Sequence, residues 1–273
     1  MRIVLIGGGS FIARAVIKVC QSSGIDHLVL RHDQDVSDVI GSGDCTINFA
    51  IDPRYRTGPY MEEYDCDLRA ARAAAAKRAA FIMLSTRRVY GPEIRWDATE
   101  IDDVVGDETA YGRNKARSEN AVRQACGRNA AIFRLSNIFG YEYNANPPRR
   151  SFLGQLLHSL KHQNKIFFDM HPQTRRDFLP VEICASLLVA RATDGTTGIY
   201  NLGGGFAVDC GTLAGWIMDG FGGGELISDP MVVRDEFSLN MNKWRRRFAL
   251  PFSEEILKGY CLELGRRLQC EEY

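Results

Sequence analysis

This sequence of 273 residues lacks long apolar runs and lacks an excess of charge of either sign. No uninterrupted apolar stretch reaches the roughly 20 residues that a membrane-spanning helix needs, which argues against an integral membrane protein. The 34 basic residues balance the 34 acidic ones. A balanced charge gives no reason to expect nucleic acid or an anionic membrane surface as a partner.

Cysteine pairs at the C-x-x-C spacing of zinc sites and redox motifs are also missing. The eight cysteines are instead scattered along the chain. In a chain of this length, such scattering is typical of reduced thiols and not of a disulfide framework. The N-terminal apolar run is too short for a signal peptide and has no cleavage region. We therefore expect a cytoplasmic protein that binds no metal.

Short apolar runs alternate with helical patterns in the first half of the chain. The runs are RIVLIG, HLVL, CTINFA, AFIMLS and AAIFRLS, and such runs suit parallel strands that helices cover on both faces. Helical patterns lie at 11–21, from Tyr60 through the alanine-rich LRAARAAAAKRAA, and at 109–126. The alternation predicts an α/β fold with a Rossmann-type doubly wound parallel sheet. Only about fifteen residues separate HLVL from CTINFA, so we expect a shortened crossover there.

A glycine-rich turn, IGGGSFIA, follows the first predicted strand. The pyrophosphate of a dinucleotide approaches backbone N–H groups at a helix N-terminus, so such a turn tolerates little side-chain bulk. Gly7 and Gly9 supply freedom at the bend, whereas Ser10 and Ala13 stand where the spaced pattern would have glycine. The turn predicts a dinucleotide site, although Ser10 could simply cap the helix that follows.

The end of the second predicted strand indicates which dinucleotide binds. NAD-binding sheets usually carry an acidic residue there, which grips the 2′-hydroxyl of the ribose. Here the position holds Arg31, with His32 beside it, and a guanidinium suits a 2′-phosphate. This favours NADP(H). NAD(H) remains possible because Asp33 and Asp35 are close, and Arg31 could also be a solvated arginine at a strand end.

Two further segments carry candidate catalytic groups. Ser85 and Thr86 end the strand AFIMLST, at the edge where open α/β sheets bind ligands. Tyr111 and Lys115 are four residues apart on one helix and therefore lie on one face. A nearby ammonium favours the phenolate form of a tyrosine, which can then exchange a proton with a substrate oxygen. The alternative is an ordinary surface pair of tyrosine and lysine.

Taken together, these segments resemble the extended short-chain dehydrogenases/reductases, which include nucleotide-sugar epimerases, dehydratases and reductases. The matching pieces occur in the family's order and span about residues 1–205. They are IGGGSFIA, NFA, STRRVYG, YGRNK, FRLSNIFG, RRDFLPVEICASLLVA and GIYNLGGG. The resemblance implies a dinucleotide-binding domain at 1–140, with strands near 177–205 returning to it, and a mainly substrate-binding lobe at 141–273.

The resemblance also implies roles for individual residues. Tyr111 would be the general acid/base, Lys115 would hold the nicotinamide ribose, and Thr86 would bond the reacting oxygen, with Ser85 as the second candidate. The implied cofactor-binding residues are Gly7, Gly9, Ser10, Phe11, Ile12, Arg31, His32, Phe49, Ala50, Tyr111 and Lys115. The implied substrate-binding residues are Ser85, Thr86, Arg87, Asn137 and Arg176. Arg176 could alternatively form a salt bridge with Asp177.

Departures from the family pattern narrow the reaction. Arg87 and Arg88 stand where family dehydratases carry an Asp-Glu pair, which argues against a 4,6-dehydratase. The end of the second strand is similar to that of NADPH-dependent members that reduce 4-keto sugars. We therefore expect a 4-keto-sugar reductase, with an NAD-dependent C4 epimerase as the alternative and a catalytically silent dinucleotide sensor as the non-enzyme alternative. By resemblance, we expect a homodimer.

Overall fold

The computed structural model describes residues 1–142, 151–232, 235–250 and 252–270. The strands are β1 Ile3–Ile6, β2 His27–Leu30, β3 Cys45–Asn48, β4 Ala80–Thr86, β5 Ala130–Leu135, β6 Asn137–Phe139, β7 Lys165–Phe168, β8 Arg175–Pro180, β9 Gly198–Leu202, β10 Ala207–Asp209 and β11 Glu225–Ser228. The α-helices are α1 Phe11–Ser22, α2 Pro53–Thr57, α3 Cys66–Ala76, α4 Ala110–Cys126, α5 Phe152–Gln163, α6 Val181–Thr193, α7 Cys210–Phe221, α8 Asn242–Arg247 and α9 Glu254–Cys270.

The chain forms two compact units. Unit 1 comprises Met1–Ile94, Ala98–Leu135 and Glu182–Leu202, and unit 2 comprises Arg95–Asp97, Ser136–Val181 and Gly203–Tyr273. The return of 182–202 to unit 1 adds β9 to its sheet, whereas 136–140 belong to unit 2. The functional labels given to the two predicted domains stay predictions.

Unit 1 contains a six-stranded sheet in the order β2-β1-β3-β4-β5-β9, and all its strand pairs are parallel. The predicted Rossmann-type α/β fold is therefore confirmed. The chain first adds β2 on one side of β1 and then adds β3, β4 and β5 in turn on the other side. Because such crossovers are right-handed, α1 covers one face of the sheet while α3 and α4 cover the other.

The crossover between β2 and β3 is shortened, as its length predicted. Residues 31–44, all of which the structure describes, form turns and no helix. Val36 and Ile40 are buried in this segment and pack into the same core cluster as Leu30 of β2. Two apolar anchors thus take the place of a helix on this part of the sheet.

The alanine-rich helix α3 begins at Cys66, so the predicted start at Tyr60 is wrong. Residues 62–64 form a separate 3-10 turn. The carboxylate of Asp65 then accepts a hydrogen bond from the backbone N–H of Leu68 at 3.0 Å and caps the helix. Within α3, the small side chains of Ala70, Ala71 and Ala74 are buried in a core cluster that also contains Phe81 of β4, so the helix backbone can approach the sheet closely.

Unit 2 contains two small sheets and a pair of closely packed helices. β8 lies between β6, to which it is parallel, and β10, to which it is antiparallel, while β7 pairs with β11. Helices α7 and α9 touch through glycines, because a Cβ at Gly220 would overlap the carbonyl of Leu262 and one at Gly265 would overlap that of Ile217. No helix in the described ranges is long and apolar enough to cross a bilayer.

Substitutions in α9 can test the close approach of these two helices. Gly265→Ala should destabilise the protein by about 1–3 kcal/mol, because the added methyl group forces the helices apart. Gly259→Ala is the matched control, since its Cβ would meet open space and alanine favours a helix by up to about 1 kcal/mol over glycine. Urea unfolding should show opposite signs for the two variants. Equal effects would contradict the packing described for α7 and α9.

Candidate active site

The turn between β1 and α1 requires glycine at its first position. Gly7 has φ +82°, and a Cβ there would lie 2.9 Å from the backbone nitrogen of Ala50. A Cβ at Gly9, by contrast, would meet open space. Ser10 caps α1, because its hydroxyl accepts a hydrogen bond from the N–H of Ala13 at 3.2 Å. The capping role expected as an alternative for Ser10 is therefore present, and its role toward a dinucleotide stays a prediction.

The predicted site residues of unit 1 gather at one edge of the sheet. The parallel register aligns Ile6, the last residue of β1, with Asn48 of β3, and Asn48 with Met83 of β4. The residues that follow these strands therefore emerge side by side at their carboxyl ends. They are Gly7 and Gly9 after β1, Phe49 and Ala50 after β3, and Ser85 and Thr86 at the end of β4. This edge is where open α/β sheets bind ligands.

Arg31 follows β2 at the same edge and is exposed. Its side chain is 76% accessible and forms a salt bridge with Asp33, with Nη2 at 2.9 Å from Oδ2. The hydrogen bond from Arg31 lowers the pKa of Asp33 below its usual range. His32, beside it, accepts a hydrogen bond from Arg69 through its backbone carbonyl. The guanidinium is thus both solvated and engaged by a carboxylate, and its contact with a 2′-phosphate stays a prediction.

The two hydroxyl candidates at the end of β4 have different surroundings. Ser85 is buried, and its hydroxyl donates a hydrogen bond to Oε1 of Glu119 at 2.5 Å. Thr86 is half-buried, and its hydroxyl accepts a hydrogen bond from the N–H of Arg88 at 3.3 Å. The only proton of the Ser85 hydroxyl is therefore used inside the protein, and the predicted bond from Thr86 to a substrate oxygen stays a prediction.

A buried ion pair fastens α4 to the central strands. Both Nε and Nη2 of Arg134 donate to the carboxylate of Glu119, at distances of 2.8–3.3 Å. Nη1 of the same guanidinium donates to the hydroxyl of Tyr90, which in turn donates to Asn201 at 2.6 Å. Burial raises the pKa of Tyr90 to about 12. Sequence reasoning missed Glu119, although its spacing of four residues from Lys115 places it on the same helix face.

Tyr111 and Lys115 do not form an ordinary surface pair. Tyr111 is half-buried and Lys115 is only 2% exposed. The ammonium of Lys115 donates to Oδ2 of Asp67 at 2.5 Å and to the carbonyl of Leu84 at 2.8 Å. Burial by itself lowers the pKa of Lys115, but the groups around it, with the carboxylate of Asp67 first among them, together outweigh burial and raise that pKa above its usual value. Lys115 therefore carries a charge next to Tyr111.

A second cation lies near Tyr111. The guanidinium carbon of Arg56, on α2, is 5.4 Å from the centre of the Tyr111 ring, within the range of a cation–π contact. Sequence reasoning missed both Arg56 and Asp67. Nothing in their local patterns marks them, because the segments that carry them reach Tyr111 and Lys115 only through the fold.

The remaining predicted residues follow β4 or lie in unit 2. Arg87 and Arg88 form a 3-10 turn after β4, and Arg88 pairs with Asp107. In unit 2, Asn137 begins β6, and Arg176 on β8 donates through Nε to the carbonyl of Asp235 at 3.3 Å.

Asp177, the residue proposed as an alternative partner for Arg176, is buried. Its carboxylate accepts hydrogen bonds from the backbone N–H groups of Gly204, Gly205 and Leu239, and burial raises its pKa to about 6. Among the described residues, no group of three or more histidine, cysteine or carboxylate side chains could hold a metal ion.

Comparison with known proteins identifies the family. The sequence profile of the NAD dependent epimerase/dehydratase family matches residues 59–203, which is more than half of the chain. The chain belongs to this family. The resemblance expected from its motifs is therefore confirmed.

A curated relative is a dTDP-4-dehydrorhamnose reductase from Mycolicibacterium smegmatis, which is 31% identical over 137 residues. The match covers 45% of this chain and 42% of the relative, so it spans less than half of the relative's length.

Solved structures that share the fold include a reductase and an epimerase. The dTDP-4-dehydrorhamnose reductase from Yersinia enterocolitica is 17% identical with a TM-score of 0.73, covering 95% of this chain and 98% of that protein. The UDP-glucose 4-epimerase from Thermus thermophilus, in complex with NAD, is 15% identical with a TM-score of 0.75, covering 97% and 99%. At these identities the likeness concerns the fold alone.

The Glu119–Arg134 pair can be tested through stability. Glu119→Ala should lower the free energy of unfolding by about 3–5 kcal/mol, because it leaves the Arg134 guanidinium buried without its counterion. Glu263→Ala is the control, since Glu263 forms an exposed pair with Arg266, and such a pair contributes at most about 1 kcal/mol. Urea denaturation measures both variants. A loss at Glu119 as small as that at Glu263 would refute the ion pair.

Proposed function

We propose that this protein is an NADP(H)-dependent oxidoreductase that reduces the 4-keto group of a nucleotide-linked sugar. The observation that carries the proposal is the arrangement of Tyr111 with a buried, charged Lys115 on α4, in a unit where Thr86 ends β4 at the carboxyl edge of a parallel sheet. A phenol, an ammonium and a hydroxyl are the groups that such a reduction needs. A sensor that only bound a dinucleotide would not need to keep all three.

The β1–α1 turn fits a dinucleotide. A side chain at Gly7 would fill the space against Ala50, Gly9 leaves open space, and the first N–H groups of α1 have no partners within the helix. We assign the pyrophosphate to Gly7, Gly9, Ser10, Phe11 and Ile12. The further assigned residues are Phe49 and Ala50 beside that turn, and Arg31 and His32 at the adenosine ribose. When bound, the reduced nicotinamide supplies a hydride.

The protein's own groups would handle the proton. Tyr111 donates its phenolic proton to the carbonyl oxygen of the substrate, and Thr86 donates a hydrogen bond to the same oxygen. Lys115 stabilises the phenolate that remains, because its positive charge lies one helical turn away. Arg56, over the ring of Tyr111, adds to the same effect.

For the substrate, we assign Asn137 and Arg176 of unit 2 to the diphosphate and Arg87 to a further contact with the sugar nucleotide. An arginine suits this role because its planar guanidinium donates two parallel hydrogen bonds to phosphate oxygens. The curated reductase relative supports a nucleotide-linked 4-keto sugar as substrate. Unit 1 would then be the dinucleotide-binding part and unit 2 the main substrate-binding part. A cytosolic homodimer completes the proposal.

An NAD-dependent C4 epimerase is the second candidate, and the similar fold of the NAD-bound epimerase favours it. Two measurements distinguish the reactions. A reductase oxidises added NADPH, seen as a loss of absorbance at 340 nm, when 4-keto nucleotide sugars are offered. An epimerase retains NAD through purification and interconverts 4-hydroxy sugars with no net change at 340 nm. If the protein turns over neither substrate class, the catalytically silent dinucleotide sensor is the remaining candidate.

Tyr111→Phe tests the proposed proton donor. It should lower kcat by about 100-fold or more, in line with the usual contribution of general acid catalysis, while NADPH binding changes little. Steady-state turnover and fluorescence titration of NADPH measure the two effects separately. Tyr64→Phe serves as a control phenol in unit 1 that has no assigned role. Retained turnover in Tyr111→Phe would remove this residue from the mechanism.

Arg31→Ala tests the choice of cofactor. Loss of a charged hydrogen bond to the 2′-phosphate should weaken NADPH binding by about tenfold to 100-fold and leave NADH binding nearly unchanged. Arg72→Ala is the matched control, because Arg72 is also exposed and paired with a carboxylate. Equal weakening for both coenzymes, or none for NADPH, would exclude recognition of the 2′-phosphate by Arg31.

A further inference from the structure

Three segments of unit 1 meet at the ammonium of Lys115. Lys115 itself comes from α4, the carboxylate of Asp67 from the first turn of α3, and the carbonyl of Leu84 from β4. The ammonium lies 2.5 Å from the carboxylate and 2.8 Å from the carbonyl. An ammonium has three N–H donors, so two are used within the protein and one remains for a ligand.

The carboxylate of Asp67 is itself fixed by a hydrogen bond on the side away from Lys115. Its second oxygen accepts a hydrogen bond from the side chain of Asn48, at the end of β3, at 2.7 Å. Asn48 is fixed in turn by Ala50, to whose carbonyl it donates and from whose N–H it accepts, both at 3.1 Å. Asn48, Asp67 and Lys115 are each at most 3% exposed. The chain Asn48–Asp67–Lys115 is therefore buried and hydrogen-bonded along its whole length.

This chain links the two halves of the proposed site. Ala50, at its start, is the residue against which the turn at Gly7 packs, and Lys115, at its end, lies one helical turn from Tyr111. We propose that Asp67 is a positioning residue, which fixes Lys115 beside Tyr111 and keeps its buried ammonium charged. The proposal rests on the function assigned above and adds a residue to it.

The surroundings of Lys115 show why a carboxylate is needed. Burial removes the water that would otherwise solvate the ammonium, and this favours the neutral amine. The titratable groups that act on Lys115 are Asp67 from α3, Tyr55 from α2 and Tyr111 from its own helix, and Asp65 lies behind Asp67. Asp67 is the carboxylate that contacts the ammonium directly.

Asp67→Asn should make activity sensitive to alkaline pH. Without the carboxylate the pKa of Lys115 falls, so the side chain is charged below that lowered pKa and neutral above it. We expect the kcat/KM of Asp67→Asn to lie within a few-fold of wild type at pH 6 and to be at least tenfold lower than wild type at pH 9. Recovery at low pH separates this effect from structural damage, which lowering the pH would not repair.

Two variants give the scale of the effect. Asp65→Asn is the matched control, since Asp65 is a buried carboxylate two residues away that accepts from Ser118 and Tyr60, and asparagine caps a helix as well as aspartate does. The kcat/KM of Asp65→Asn, divided by that of wild type, should be the same at pH 6 and pH 9. Lys115→Met should lose activity equally at both values, because it has no proton to regain.

A direct titration separates this proposal from the proposed function. Carbon-13 NMR of the lysine Cε groups, with Lys115→Met used for assignment, follows the charge of Lys115 without substrate or turnover. Wild-type Lys115 should stay protonated to pH 10, and Lys115 of Asp67→Asn should lose its proton below that. If this holds while no sugar is turned over, the proposed function fails and the role of Asp67 stands. The role of Asp67 is overturned if Lys115 titrates in Asp67→Asn as it does in wild type and if the ratio of the two proteins' kcat/KM values does not vary with pH.

A double variant covers the case in which Asp67→Asn fails to fold. In Asn48→Asp/Asp67→Asn the new amide can accept from Lys115 and donate to residue 48, so the two bonds along the chain and the net charge are kept, whereas the bond from residue 48 to the carbonyl of Ala50 is lost. The carboxylate is then one side chain further from the ammonium. We expect the double variant to lose activity at alkaline pH and its Lys115 to lose its proton at a lower pH than in wild type, as in Asp67→Asn. A dependence of both quantities on pH like that of wild type would overturn the proposal.

Discussion

The inner face of α4 is charged where it crosses the sheet, and the arrangement of the site depends on how those charges are paired. Lys115 meets Asp67 of α3, and Glu119, one turn later, meets Arg134 of β5. Each pair is buried, so each requires close geometry and further hydrogen bonds to offset the loss of hydration. The helix cannot slide or turn without separating them. The two pairs therefore determine where Tyr111 stands relative to the end of β4.

The same pairs divide the polar groups of unit 1 into two kinds. The hydroxyl of Ser85 is hydrogen-bonded to Glu119, and the carboxylate of Asp67 is hydrogen-bonded to Lys115 and Asn48. These groups therefore support the fold and orient their neighbours. Tyr111 and Thr86 are half-buried. An active site needs both kinds, because a proton donor is effective only when rigid neighbours hold it in place. The proposed reductase chemistry uses the second kind and relies on the first.

Glycine and alanine have a different part in unit 1. At Gly7 the backbone comes so close to Ala50 that a side chain cannot fit, and in α3 the alanines bring a helix close to β4, the strand that carries Phe81 and Met83. The small residues thus set the distance between a helix and the sheet, and the buried ion pairs set the position of α4 along the sheet. The match to the family profile covers residues 59–203, which include Tyr111 and Lys115.

The sequence by itself determined the alternating strands and helices of the Rossmann-type sheet, the shortened crossover after β2, the turn at Gly7 and the placement of Tyr111 and Lys115 on one helix face. These features follow from interactions among near neighbours: apolar periodicity, backbone freedom and helical spacing. Only the tertiary structure decided that the Ser85 hydroxyl bonds to Glu119 and that Lys115 pairs with Asp67. Such partners lie tens of residues apart, and their meeting depends on how segments pack side by side, which no local pattern encodes.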